Sequence, residues 1–135
     1  MTFTFRSTRL TTCDTVKNGE AISLHFVDQA GRPVAIELPF AQAEAIVMTL
    51  PRLLSKALQS RTSSAASRYV FPLGQWFIES GNENCLIVTL ATGDGFEVSF
   101  GVPFDACQAM GWSLEHEGRS ASEFADGESD PTAVN

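Results

Sequence analysis

Two stretches of the chain alternate apolar and polar residues with a period of two and then change to helical spacing. In the first, Ile22, Leu24 and Phe26 alternate with Ser23, His25 and Val27. A loop runs through Asp28-Gln29-Ala30-Gly31-Arg32, and Val34, Ile36 and Leu38 follow. In the second, Leu86, Val88 and Leu90 alternate with Ile87, Thr89 and Ala91. After Thr92-Gly93-Asp94-Gly95, the set Phe96, Val98, Phe100 and Val102 alternates with Glu97, Ser99 and Gly101. A period of two sends one set to the core face of a strand and the other outward. Gly and Asp tolerate positive φ, so each loop predicts a hairpin. Pro33 cannot donate to a ladder and is expected at a strand start or on an edge.

Both hairpins lead into Pro-Phe, and proline suits a first helical turn because its missing N–H has no partner to lose there. Phe40, Ala43, Ile46, Val47, Leu50, Leu53, Leu54, Ala57 and Leu58 form an apolar stripe at helical spacing. Pro51 lies inside that stripe and predicts a kink or a second helical segment. The later helix shows Phe104, Cys107, Met110 and Leu114, with Asp105 in its first turn and Gly118 as its expected stop.

The two stretches are one pattern repeated. Sliding the sequence by 64 positions aligns Ile22 to Leu50 with Leu86 to Leu114 without a gap. Gly31/Gly95, Val34/Val98, Pro39/Pro103, Phe40/Phe104, Ala45/Ala109 and Leu50/Leu114 are identical, and Asn18 falls on Asn82. The intervening core positions exchange one apolar residue for another, with the elements in the same order, which reads as an internal duplication. Upstream of each hairpin a third strand is expected. Thr2–Val16 turns through Asn18-Gly19 into the first hairpin; Tyr69–Phe71 and Gln75–Glu79 flank a bend at Pro72-Leu73-Gly74 in the second. Ser60 to Ser67 reads as an exposed linker. Residues 119–135, acidic with few apolar groups, read as a loose tail.

The fold class is therefore α+β: an internally duplicated βββα-βββα chain of pseudo-twofold character. Its strands form an antiparallel sheet or an open barrel, with two main helices. Residues 1–118 make one domain of two repeats, about 1–64 and 65–118. The length of 135 residues accommodates one such domain and its core.

Charge narrows the partners. The net charge of −7 is uneven: residues 1–64 carry +2 and residues 65–135 carry −9. The acidic half repels a phosphate backbone, which makes nucleic acid a poor partner, and anionic lipid is disfavoured for the same reason. No apolar run reaches the ~20 residues that span a bilayer. The first six residues lack a basic region followed by an apolar stretch, so no signal peptide is expected. Cys13, Cys85 and Cys107 are odd in number and scattered, which suits a reducing cytoplasm rather than a disulfide framework.

Chemistry-bearing motifs are sparse. Glycine-rich nucleotide loops, nucleophile elbows, zinc-binding helices and C-x-x-C pairs are absent from the sequence, so neither cofactor nor metal is expected. His25 points away from the main core as a surface, dimer-facing or general-base residue, and His116 sits between two glutamates near a helix end. Trp76 lies on the irregular third strand, and Trp112 is offset from the second helix's stripe. Half-buried aromatics of this kind favour interfaces. Arg52 and Lys56, four apart, share a helix face that suits solvent or an acidic segment. Phe77 and Ile87 are apolar on strand faces expected to be polar, which leaves them wet in a monomer.

Two classes of function fit these observations. The first is a non-catalytic module that binds another macromolecule, a protein foremost, as a homodimer. The second is a small-molecule binder or enzyme with a pocket between the repeats; an acidic inhibitor of a basic active site is a third variant. Trp76, Phe77, Ile87, Trp112, Arg52, Lys56 and His25 are the candidate interaction residues.

Overall fold

A computed structural model describes residues 1–82 and 84–127. The chain divides into two compact units, Met1–Val70 and Phe71–Asn135. The first holds β1 (Ser7–Val16), β2 (Ala21–Asp28), β3 (Pro33–Pro39) and α1 (Phe40–Thr62). The second holds β4 (Gln75–Ser80), β5 (Cys85–Ala91), β6 (Glu97–Pro103) and α2 (Phe104–Gly127). Each unit is a three-stranded antiparallel sheet, ordered β1-β2-β3 or β4-β5-β6, followed by its helix. The duplicated βββα order is thus present, as two separate sheets and not one closed barrel.

The repeat extends to individual hydrogen bonds. Ala21 opposes Pro39 and Ile22 opposes Leu38; in the second unit Cys85 opposes Pro103 and Leu86 opposes Val102, each pair 64 residues on. Both hairpin loops close alike: Asp28 N–H donates to Arg32 O at 2.9 Å, and Thr92 N–H to Phe96 O at 2.8 Å. Gly31 and Gly95 follow at φ +76° and +98°, a left-handed conformation that costs glycine little. Each helix is tied to the start of its central strand through its first residue, Phe40 N–H to Glu20 O and Phe104 N–H to Asn84 O.

The first strands break the symmetry. Thr15 opposes Ile22, but Ser80 opposes Leu86, so the offset between equivalent positions is 65 there and not 64. Two bulges follow in β1; the one at Thr11 leaves Leu10 opposite Phe26 as Trp76 lies opposite Leu90, and the one at Thr8 slides the strand once more. The two residues extruded by those bulges, Thr8 and Thr11, turn their hydroxyls to Val27 O and His25 O at 3.1 and 3.0 Å. β4 has a regular register throughout. In the turn before each central strand, Asn18 is left-handed at φ +55°, whereas in the second unit Asn84 takes that conformation.

Several local expectations change. Residues 69–74 are not a strand, and the stretch expected as a linker from Ser60 is helical as far as Thr62. No second helical segment starts at Pro51, which sits within one continuous α1 that ends where Ser63 turns left-handed at φ +53°. α2 runs through Gly118 to Gly127, so residues 119–127 are helix and not loose tail. Alanine and glutamate favour helix there, and Arg119 pairs with Glu115 one turn back. The tail expectation for residues 128–135 lies outside the described residues.

Glycine matters most at Gly74. Its N–H donates to Ala91 O at 2.8 Å, and a Cβ built on it would lie 2.8 Å from Gly93 N and 3.2 Å from Thr92 C. Both obstacles are backbone, which cannot rotate aside. Gly74→Ala is expected to lower unfolding stability by about 1–3 kcal/mol in urea titration. Gly93→Ala, whose Cβ meets open space, is expected to stay close to wild type.

Candidate interaction surface

Register sorts the second sheet into two unlike faces. One carries Trp76, Ile78 and Ser80 from β4, Leu86, Val88 and Leu90 from β5, and Val98, Phe100 and Val102 from β6. None of these nine residues is charged. The other face carries Gln75, Phe77 and Glu79, then Ile87, Thr89 and Ala91, then Glu97, Ser99 and Gly101. β5 is apolar on one side and mixed on the other, where Ile87 stands with Thr89 and Ala91, and pairing on both edges satisfies its backbone.

The apolar face lies open. Trp76 is 64% exposed, Ile78 60%, Phe100 51% and Leu90 38%, while Val88, Val98 and Val102 are half-buried. Among the described residues, no large side chain in either unit is fully buried. The helices do not supply the missing layer. In α1 only Ala43 is buried, and Phe40, Val47, Leu50 and Leu53 all face solvent. In α2, Cys107 Sγ meets Val102 O at 3.6 Å near the start, but Met110, Trp112, Leu114 and Phe124 are exposed.

The sequence-derived candidates do not converge on one point. Trp76 stands on the apolar face of the second sheet. Phe77 stands on the opposite face, exposed, in a shallow groove with Glu79, Thr89 and Glu97. Ile87 shares that second face but is half-buried, with Glu79 and Gly101 as its cross-strand neighbours. Trp112 stacks on His116 at 5.1 Å and 4° on α2. Arg52 and Lys56 line an open groove on α1 with Met48, Gln59 and Tyr69, where Tyr69 N–H donates to Ser55 Oγ at 3.1 Å. Leu90 and Phe100 are the surface residues that sequence reading assigned to a core. Alternation marks their face correctly, but only the layer count tells whether that face is covered.

His25 is exposed, and its Nε2 lies 3.0 Å from Ser23 Oγ on the same face of β2. A serine beside a histidine becomes a nucleophile only with a group to orient the ring and N–H donors to stabilise the oxyanion. Ser23 lies on a central strand whose N–H groups serve the two ladders, so the pair is read as a structural hydrogen bond. Among the described residues, no group of three or more His, Cys, Asp or Glu is placed to hold a metal, and no helix is long and apolar enough to cross a membrane. Comparison with family models, curated proteins and solved structures finds no match to this chain.

Two loop carboxylates are perturbed. Asp28 accepts the N–H groups of Arg32 and Ala30 at 2.8 Å and Arg32 Nε at 2.8 Å, and those donors, Arg32 N–H first, hold its carboxyl below the usual range. Asp94 is lowered chiefly by the Thr92 hydroxyl, which donates to it. A carboxyl lowered in the folded state stabilises it above the unfolded pKa, and that contribution is lost as pH falls through the folded value. The β2–β3 hairpin is therefore expected to weaken below about pH 4. Protection of the amides of residues 26–34, taken relative to the intrinsic exchange rate at each pH, should fall there in the wild type. In Asp28→Asn protection should already be reduced at pH 7 and change less with acid.

Proposed function

We propose that this chain is a non-catalytic protein-binding module that works by self-association, as a homodimer in a reducing cytoplasm. The observation that supports this reading is the charge-free apolar face of the second sheet, open to solvent together with apolar stripes on both helices. Contiguous exposed apolar surface of this kind marks interaction sites in water-soluble proteins, because leaving it wet forfeits about 25 cal/mol for every Å². A twofold homodimer is the commonest way to cover it. Three free thiols fit a reducing compartment. The net charge of −7 favours a protein over a phosphate backbone.

Light scattering at micromolar concentration tests the reading. A mass above the 14.6 kDa of the single chain is expected. A mass of 14.6 kDa throughout the micromolar range overturns it.

A further inference from the structure

We infer that the groove between α1 and the segment following it, with Arg52 and Lys56 along it, binds a short acidic segment of a partner protein. This is independent of the self-association proposed above, since it rests on a different element and on charge.

The groove is built by the first unit alone. After α1 the chain reverses at Ser63, φ +53°, and runs back along the helix. Ser64 N–H donates to Gln59 O at 3.2 Å, and Gln59 Nε2 donates to Ser67 O at 3.0 Å. The Thr62 and Ser67 hydroxyls lie 2.9 Å apart, and Tyr69 N–H donates to Ser55 Oγ at 3.1 Å. The stretch that sequence reads as a linker is thus fixed against the helix. A groove formed this way costs little ordering when a ligand arrives. Met48, Arg52, Leu53, Lys56 and Tyr69 line it.

Charge selects the occupant. Residues 45–78 contain Arg52, Lys56, Arg61 and Arg68 and no Asp or Glu, in a chain of net charge −7. Among the described residues, the ion pairs engage Lys17, Arg32 and Arg119, and neither Arg52 nor Lys56. These two stand about one turn apart on the same helix face, where like charges repel. The helix dipole does not account for them, because its negative pole acts within the last turn, which holds Arg61. Carboxylates lying along the groove would turn that repulsion into charge-assisted hydrogen bonds.

The rest of the lining makes the ligand a peptide. Met48, Leu53 and Tyr69 give the groove an apolar wall, and methionine adapts to side chains of many shapes. An apolar residue beside the carboxylates has a place there that a simple anion leaves empty. From Met48 to Gln59 the helix rises about 16 Å, the length of about five residues of extended chain. Nucleic acid draws its binding strength from many neutralised phosphates, and two groove cations on a chain of net −7 supply few.

A random peptide display library selected on the immobilised full chain tests this. Selected sequences are expected to be enriched in Asp and Glu beside an apolar residue. The double variant Arg52→Glu, Lys56→Glu should lose that enrichment, and Arg9→Glu, a charge reversal on β1, should keep it. Far-UV circular dichroism checks that each variant folds. In fluorescence anisotropy, a selected peptide should lose about tenfold or more in affinity for the unmodified chain when its carboxylates become amides. Neutral or basic selected sequences, no selection at all, or unchanged enrichment on the double variant overturns the proposal. So does displacement of the peptide by a single-stranded oligonucleotide at lower concentration than by unlabelled peptide, which would assign the groove to a phosphate chain. None of these results alters the mass read by light scattering, so this proposal and self-association stand or fall separately.

Discussion

A three-stranded sheet with one apolar side needs a second layer, and in each unit here the helix that follows the sheet does not provide it. The helix is held at its first residue, where Phe40 N–H reaches Glu20 O and Phe104 N–H reaches Asn84 O. That bond fixes where the helix starts but not what it covers. α1 buries only Ala43, in its first turn, and keeps most of its apolar stripe exposed. The residues that are well buried are small or polar, such as Ala21, Ser23, Thr89 and Ala91, at the centre of the sheets. Alternation along the strands thus creates a core face without a core. Within each unit, stability then rests largely on ladders and loop hydrogen bonds, each worth about 1 kcal/mol net.

Most of the architecture was legible in the sequence because it is local. Alternation of Leu86, Val88 and Leu90 and the glycine loops specify the hairpins, and the 64-residue offset exposes the repeat down to the Ala21–Pro39 and Cys85–Pro103 pairs. The first strands were less legible for a physical reason. Bulges at Thr8 and Thr11 shift β1 against its partner, and β4 pairs one position off the repeat. No period of two survives such slips intact. The helix ends were misread because glycine and proline are weak signals inside long helices. Pro51 and Gly118 are both tolerated where the surrounding residues favour helix.

The candidate surface was legible only by half. Trp76 could be marked from its type and position, and Phe77 and Ile87 from apolar residues on an expected polar face. The structure reverses the emphasis: Ile87 is half-buried beside Glu79, while Leu90 and Phe100 are open. Alternation says which side chains share a face, whereas exposure depends on whether another layer lies above that face. Only three-dimensional packing carries that second piece of information.

Duplication sharpens this point because the two units share one pattern and differ most in their first strands. Leu10 and Cys13 occupy the positions that Trp76 and Ile78 hold in the second unit, so the first strand has the smaller apolar load. It also carries two bulges, which twist an edge away from further pairing. β4 is regular, has no proline, and places three large apolar residues in succession at an edge. Natural proteins guard such strands with charge, proline or bulges. Here the bulges are confined to the first unit, where Phe5 also packs on the sheet, and β4 carries Glu79 as its one charged residue. A regular edge strand with three large apolar residues in succession is a liability in a lone chain. The repeats thus diverge in their first strands: β1 is bulged and carries the smaller apolar load, whereas β4 keeps a regular register and carries the larger one.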